Sequence, residues 1–136
     1  MNMKKSLVIF LACFVLVASA SICLAGKEGS PGTKDEAKAM IEKAERWFKK
    51  YGRDKTLTEI SLAGAEKKGE FIDRDLYIFA YDFNGVVLAH GANPKLVGQN
   101  LFDMQDADGR YLIRGLIDTA LKGSKWYYYK WSNPIT

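Results

Sequence analysis

Cysteine and histidine are scarce in this 136-residue chain, with two of the first and one of the second. Both cysteines, Cys13 and Cys23, fall within the first 25 residues. From Gly26 onward there is no thiol for a disulfide, a nucleophile or a CxxCH haem attachment. A single histidine without cysteine or a tight carboxylate cluster cannot surround a metal ion. No Ser/His/Asp arrangement, nucleophile elbow, P-loop or GxGxxG occurs, so neither hydrolysis nor a resident cofactor finds support. Internal repeats and low-complexity tracts are missing as well. The expectation is a protein that is not an enzyme and carries no cofactor and no metal.

What is present begins with an export signal. Lys4 and Lys5 form a short basic start, Leu7–Val17 (LVIFLACFVLV) is apolar, and small residues follow. Ala18-Ser19-Ala20 and Cys23-Leu24-Ala25 both place a small residue at −3 and alanine at −1. Residues 1–25 therefore read as a signal peptide cut after Ala25, and the expected location is periplasmic or secreted. An uncleaved anchor is the alternative, since roughly 20 apolar residues span a bilayer. Loss of Lys4 and Lys5 leaves 18 Lys and Arg against 16 Asp and Glu. So small an excess, with interleaved signs, gives no reason to expect nucleic acid as a partner.

Gly26–Thr33 reads as a flexible leader (GKEGSPGT). Thr33 is a helix N-cap with Glu36 three residues on, a capping box. Ala37, Met40, Ile41, Ala44, Phe48 and Tyr51 then recur at helical spacing up to Gly52, a C-terminal stop. Thr56–Ala63 reads as a short second helix or turn, and Lys67–Gly69 as a loop. Leu76–Phe83 and Val86–His90 flank Asn84-Gly85, which predicts a two-residue type I′ hairpin. Counting outward sets Phe83 opposite Val86, Tyr81 opposite Leu88 and Phe79 opposite His90. By alternation these six share one face, and Ile78, Ala80, Val87 and Ala89 the other. Pro94–Gly98 is a short connection. A helix is expected over Asp108–Leu121 and a third strand over Trp126–Trp131.

From Asp73 to Pro134 the chain resembles the single-Cache sensor domains of bacterial exported and receptor proteins. The resemblance rests on the aromatic strand ending in Asp82, the -LAHG- strand, the -NPKLVGQNL- connector, the -DGRYLIRGL- helix and the WYYYKW segment. It implies an α+β, PAS-like antiparallel sheet with the long N-terminal helix on one face and a small-molecule pocket on the other, over residues 34–136. It also implies a sensor of a small extracytoplasmic metabolite, such as a carboxylate, amino acid or amine. Members of the family usually continue with two more strands, so the sheet is expected to be C-terminally incomplete, with an open edge. A membrane receptor, or self-association through that edge, is the expected partner besides the ligand.

His90 ends a strand on the aromatic face, where imidazole can meet a small anion. Tyr81, Tyr129 and Trp131 share the pocket side of their strands, and ringed side chains with a polar tip suit an organic ligand. Arg114 can offer a bidentate fork to a carboxylate, although its place at the margin of the helix stripe also suits a solvated arginine; Lys130 has the same two readings. Asp103, Asp106 and Asp108 lack the alternation and terminal Glu of a calcium loop and read as turn and cap residues. Two competing functions stay open: an interaction module pairing through the sheet edge, and a small enzyme with His90 as its base.

Overall fold

A computed structural model describes residues 9–12, 29–66, 68–124 and 126–130. Helix α1 (Lys34–Tyr51) opens on the expected capping box: Thr33 accepts from the Glu36 N–H, and the Glu36 carboxylate accepts from the Thr33 N–H. That backbone hydrogen bond, with Arg74 second, holds the Glu36 carboxyl down to about 2. Arg74 pairs with Glu36 at 2.8 Å from a left-handed backbone (φ 56°), and it also donates to Ser30 O. The end of the leader is thus tied down, and Gly32 is buried with its N–H 2.7 Å from Asp75 Oδ1. The rest of the predicted signal peptide, apart from Ile9–Ala12, lies outside the described residues.

Gly52 ends α1 as expected, but α2 (Arg53–Glu66) is a 14-residue helix rather than a short turn. The helix runs through Gly64 and no proline interrupts it, and Thr56, Ile60 and Ala63, spaced four and three apart, are all fully buried. The apolar stripe of α1 also drifts at its end: Trp47 packs edge-on against Phe71 at 5.6 Å while Tyr51 is exposed.

The sheet is organised around β3 (Leu76–Tyr81). It pairs antiparallel with β1 (Ile9–Ala12), β2 (Ile72–Asp73) and β4 (Val87–His90). Every residue of β3 is buried, because alternate side chains enter two separate cores. Leu76, Ile78 and Ala80, with Ala89 and Phe71, meet α1 and α2 on one face. Tyr77, Phe79 and Tyr81, with Val87, meet α3 (Leu112–Leu121) on the other. This is the α+β, PAS-like arrangement expected, with the long helix on one face and the aromatic face turned toward α3.

Three local expectations are corrected. The hairpin does not close with two residues. Asp82 Oδ1 accepts from the N–H groups of Asn84 and Val86, and the Asp82 N–H donates to Val86 O. Only Gly85 of the turn has positive φ, so this is the three-residue loop rather than the type I′ turn. The odd loop sets Tyr81 opposite Val87, and a bulge restores Ala80↔Ala89 and Phe79↔His90. Val87 consequently joins the aromatic side and Leu88 the helical side, the reverse of the expected assignment.

Helix α3 starts at Leu112 rather than Asp108, because Asp106 closes the preceding residues into a turn. Its Oδ1 accepts from Asp108 and Arg110 N–H, and its own N–H donates to Arg110 O. Residues 126–130 form no strand: among the described residues nothing runs alongside to complete a ladder. Their side chains still alternate, with Tyr127 and Tyr129 half-buried and Trp126 and Tyr128 exposed.

Candidate ligand cleft

The aromatic face of the sheet, α3 and two later segments enclose a cleft. Tyr77, Phe79, Tyr81 and His90 form its floor, Leu112, Ile113 and Leu116 of α3 one wall, and Leu96, Leu101 and Met104 a cover. Tyr129 lines the remaining side, which is partly open. The cavity is small, about 20 Å³. On the order of 10–15 Å³ holds one water, so an organic molecule enters only if a wall moves.

His90 is held firmly. It is buried, lies 5.3 Å from the Tyr77 ring and stacks on Phe79 at 5.9 Å. Its Nδ1 accepts from the N–H groups of Ala92 at 3.2 Å and Asn93 at 3.0 Å, where the chain turns out of β4. With Nδ1 an acceptor, the proton of the neutral ring sits on Nε2, making that atom a donor. Burial pushes the imidazole down to about 4, so it is uncharged at neutral pH.

The aromatic segment is placed by a helix glycine. A Cβ built at Gly115 would fall on the Tyr127 ring. Tyr127 in turn stacks on Tyr129 at 6.3 Å. Lys130 N–H approaches Asp106 Oδ2 at 3.4 Å, and its ammonium pairs with Asp108 at 3.1 Å. Asp106 is held ionised by the N–H groups of Arg110, Asp108 and Lys130, which lower its carboxyl. Asp106 and Asp108 thus serve the turn and the aromatic segment, and Lys130 an exposed ion pair. Gly115→Ala is expected to leave α3 intact, since alanine favours helix by about 1 kcal/mol, but to expel Tyr127. The tyrosine near-ultraviolet circular dichroism should then change while the melting temperature moves by a few degrees at most. An unaltered tyrosine signal would mean that Tyr127 does not rest on Gly115.

Of the five residues singled out from the sequence, the structure brings Tyr81, His90 and Tyr129 together around the cleft. Arg114 lies outside it, exposed and paired with Asp103, its guanidinium over the rings of Tyr111 and Phe102. Trp131 lies outside the described residues. Sequence reasoning missed Tyr77 and Phe79, which the alternation of β3 already places beside Tyr81, and the cover residues Leu96, Leu101 and Met104. Among the described residues no three His, Cys, Asp or Glu side chains converge as metal ligands, and no helix is long and apolar enough to cross a membrane.

Residues 28–136 match the family described as Single Cache domain 2. The chain belongs to that family. The sensor histidine kinase MctS of Rhizobium johnstonii is 38% identical over 63 residues, covering 46% of this chain and 14% of the kinase. The methyl-accepting chemotaxis protein CtpM of Pseudomonas aeruginosa is 37% identical over 62 residues, covering 46% of this chain and 11% of the receptor. The match thus spans a small part of either curated relative. The crystal structure of a methyl-accepting chemotaxis protein from Vibrio parahaemolyticus superposes with a TM-score of 0.58 at 34% identity. That alignment covers 74% of this chain and 69% of the other. This Cache domain is therefore of the kind found in sensor kinases and chemoreceptors, and its cleft lies between the aromatic sheet face and α3.

Proposed function

We propose that the chain is an extracytoplasmic sensor domain that binds a small polar metabolite in the aromatic cleft and does not transform it. The carrying observation is His90: a buried neutral imidazole whose Nδ1 is engaged by two backbone N–H groups, leaving Nε2–H as the donor. A donor among tyrosine rings suits an acceptor oxygen, as in a carboxylate or carbonyl. Among the described residues neither a carboxylate nor a cation lines the cleft, so the preference for an acid over an amine rests on the Nε2–H donor. A histidine that titrates near 4 is a weak base at neutral pH, which argues against the enzyme reading. Tyr81 and Tyr129 supply further contacts, export rests on the signal at residues 1–25, and a membrane receptor is the partner proposed for relaying the signal.

The test is a thermal-shift screen of the purified chain against acetate, propionate, lactate and pyruvate, with amines and amino acids as comparison. A ligand at a hundredfold excess over Kd stabilises by about 2.7 kcal/mol, several degrees for a domain of this size. We expect the shift from the acids and its loss in His90→Phe, which keeps a ring but removes the donor. A second reading, strand pairing along β3, draws on the antiparallel seat that Ile9–Ala12 takes opposite Ile78–Tyr81. An unshifted melt together with a chain that sediments as a dimer would replace the first reading by this one.

A further inference from the structure

We propose that Arg114 is the clasp that holds the segment Leu101–Met104 closed over the cleft, and that its release admits the ligand. The proposal rests on the cleft being a binding site. A cavity of about 20 Å³ demands a moving wall, and the walls differ in what fastens them. The floor is β3, every residue of which is buried, and α3 is anchored by four buried side chains, Leu112, Ile113, Leu116 and Ile117. The cover is tied by backbone bonds at its two ends and by one within it, Met104 N–H to Leu101 O at 3.0 Å, which breaks when the strap opens. Leu101 N–H donates to Gly85 O at 2.9 Å, and Met104 O accepts from Leu112 N–H at 3.0 Å. Between these ends lie Phe102 and Asp103, and Arg114 grips both.

Its guanidinium lies 5.0 Å from the Phe102 ring centroid, 4.0 Å from that of Tyr111, and it pairs with Asp103. Tyr111 and Arg114 stand at the start of α3, so the clasp joins a rigid helix to a hinged strap. Both side chains of the ion pair are solvent-exposed, which keeps it weak enough to open. Leu101 and Met104 flank the gripped pair and point into the cleft. A strap that swings on Gly85 and Leu112 therefore carries two apolar cover residues out together.

A clasp and a ligand contact differ in kinetics. Arg114→Ala is expected to raise both association and dissociation rates for propionate about tenfold, which corresponds to about 1.4 kcal/mol of lost fastening. The Kd should stay within about threefold, since the clasp closes over the empty and the occupied cleft alike and its loss costs both closed forms equally. Stopped-flow tyrosine and tryptophan fluorescence reads both rates. Without ligand, amide exchange at Met104 should accelerate about tenfold while Ala80 in β3 and Ile117 in α3 exchange as before. Arg114→Lys keeps the charge opposite Asp103 but not the planar stack, and should fall between. If Arg114→Ala does not fold, Asp103→Asn, which removes the ion pair alone, carries the same exchange measurement.

Unchanged exchange at Met104 in the folded variant overturns the clasp. So does a variant with faster dissociation and an unaltered association rate, which would make Arg114 a ligand contact. If Met104 exchange accelerates but propionate and the other acids fail to bind the unaltered chain, the clasp stands and the choice of ligand falls.

Discussion

Between pH 7 and pH 5 the domain is expected to lose about 2 kcal/mol of stability, and His90→Asn should remove that loss. In the folded protein the His90 imidazole is pushed from 6.5 to about 4 by burial among rings. The unfolded chain therefore binds a proton that the folded chain refuses. A basic group with a depressed folded value contributes stability that is complete above its unfolded value of 6.5 and drains as pH falls toward 4. Protonation would also place a hydrogen on Nδ1, where Ala92 and Asn93 already donate. Asparagine can accept from those N–H groups without titrating. The window is clean of carboxylates, because Glu36 and Asp106, whose folded values are lowered, lose their contributions only below about pH 4.5. Urea melts of both proteins at the two pH values decide it; parallel losses in the two would show that His90 is not the group responsible.

Gly64→Ala is expected to destabilise the domain by about 2 kcal/mol, although helix propensity by itself would stabilise it by about 1 kcal/mol. A Cβ at Gly64 would stand 2.7 Å from Gly91 O, 2.8 Å from its carbonyl carbon and 3.0 Å from His90 O. These are backbone atoms, and they cannot retreat cheaply: Gly91 N–H donates to Ile78 O at 2.7 Å, locking the end of β4 to β3. The comparison with Gly115 sharpens the point. There the added methyl meets the far end of a tyrosine ring, which can swing away; here it meets the strand that carries His90. The variant should therefore melt lower and also lose the acid-induced thermal shift. A higher denaturation midpoint for Gly64→Ala would show that α2 does not rest closely on β4.

His90 and Arg114 mark how far the sequence could be read. His90 was legible as a member of the aromatic face because strand alternation is a local rule, and pairing it with Phe79 survived even though the turn was misjudged. The turn itself was not legible, because Asn84-Gly85 suits two loops. The choice fell to Asp82, whose carboxylate captures the N–H groups of Asn84 and Val86 and lengthens the loop by one residue. That single residue exchanged Val87 and Leu88 between faces. Arg114 shows the opposite failure. Its helical phase put it at the margin of the apolar stripe, but phase says nothing of which loop will lie beside it, and Phe102 and Asp103 drew it away from the cleft.

By itself the sequence determined the elements whose signals are local and repeated: the capped α1, the two-faced β3, the stripe of α3, and the family to which they belong. It also determined the chemistry on offer, one histidine among tyrosines with no thiol from Gly26 onward. Only the tertiary structure decided that Leu96, Leu101 and Met104 roof the cleft, that Gly64 and Gly91 touch, and that the His90 proton resides on Nε2. The first two depend on segments distant in sequence meeting at atomic contact, and the third on the way the chain turns out of β4. Periodicity reports which side of an element is apolar, whereas packing decides what that side meets.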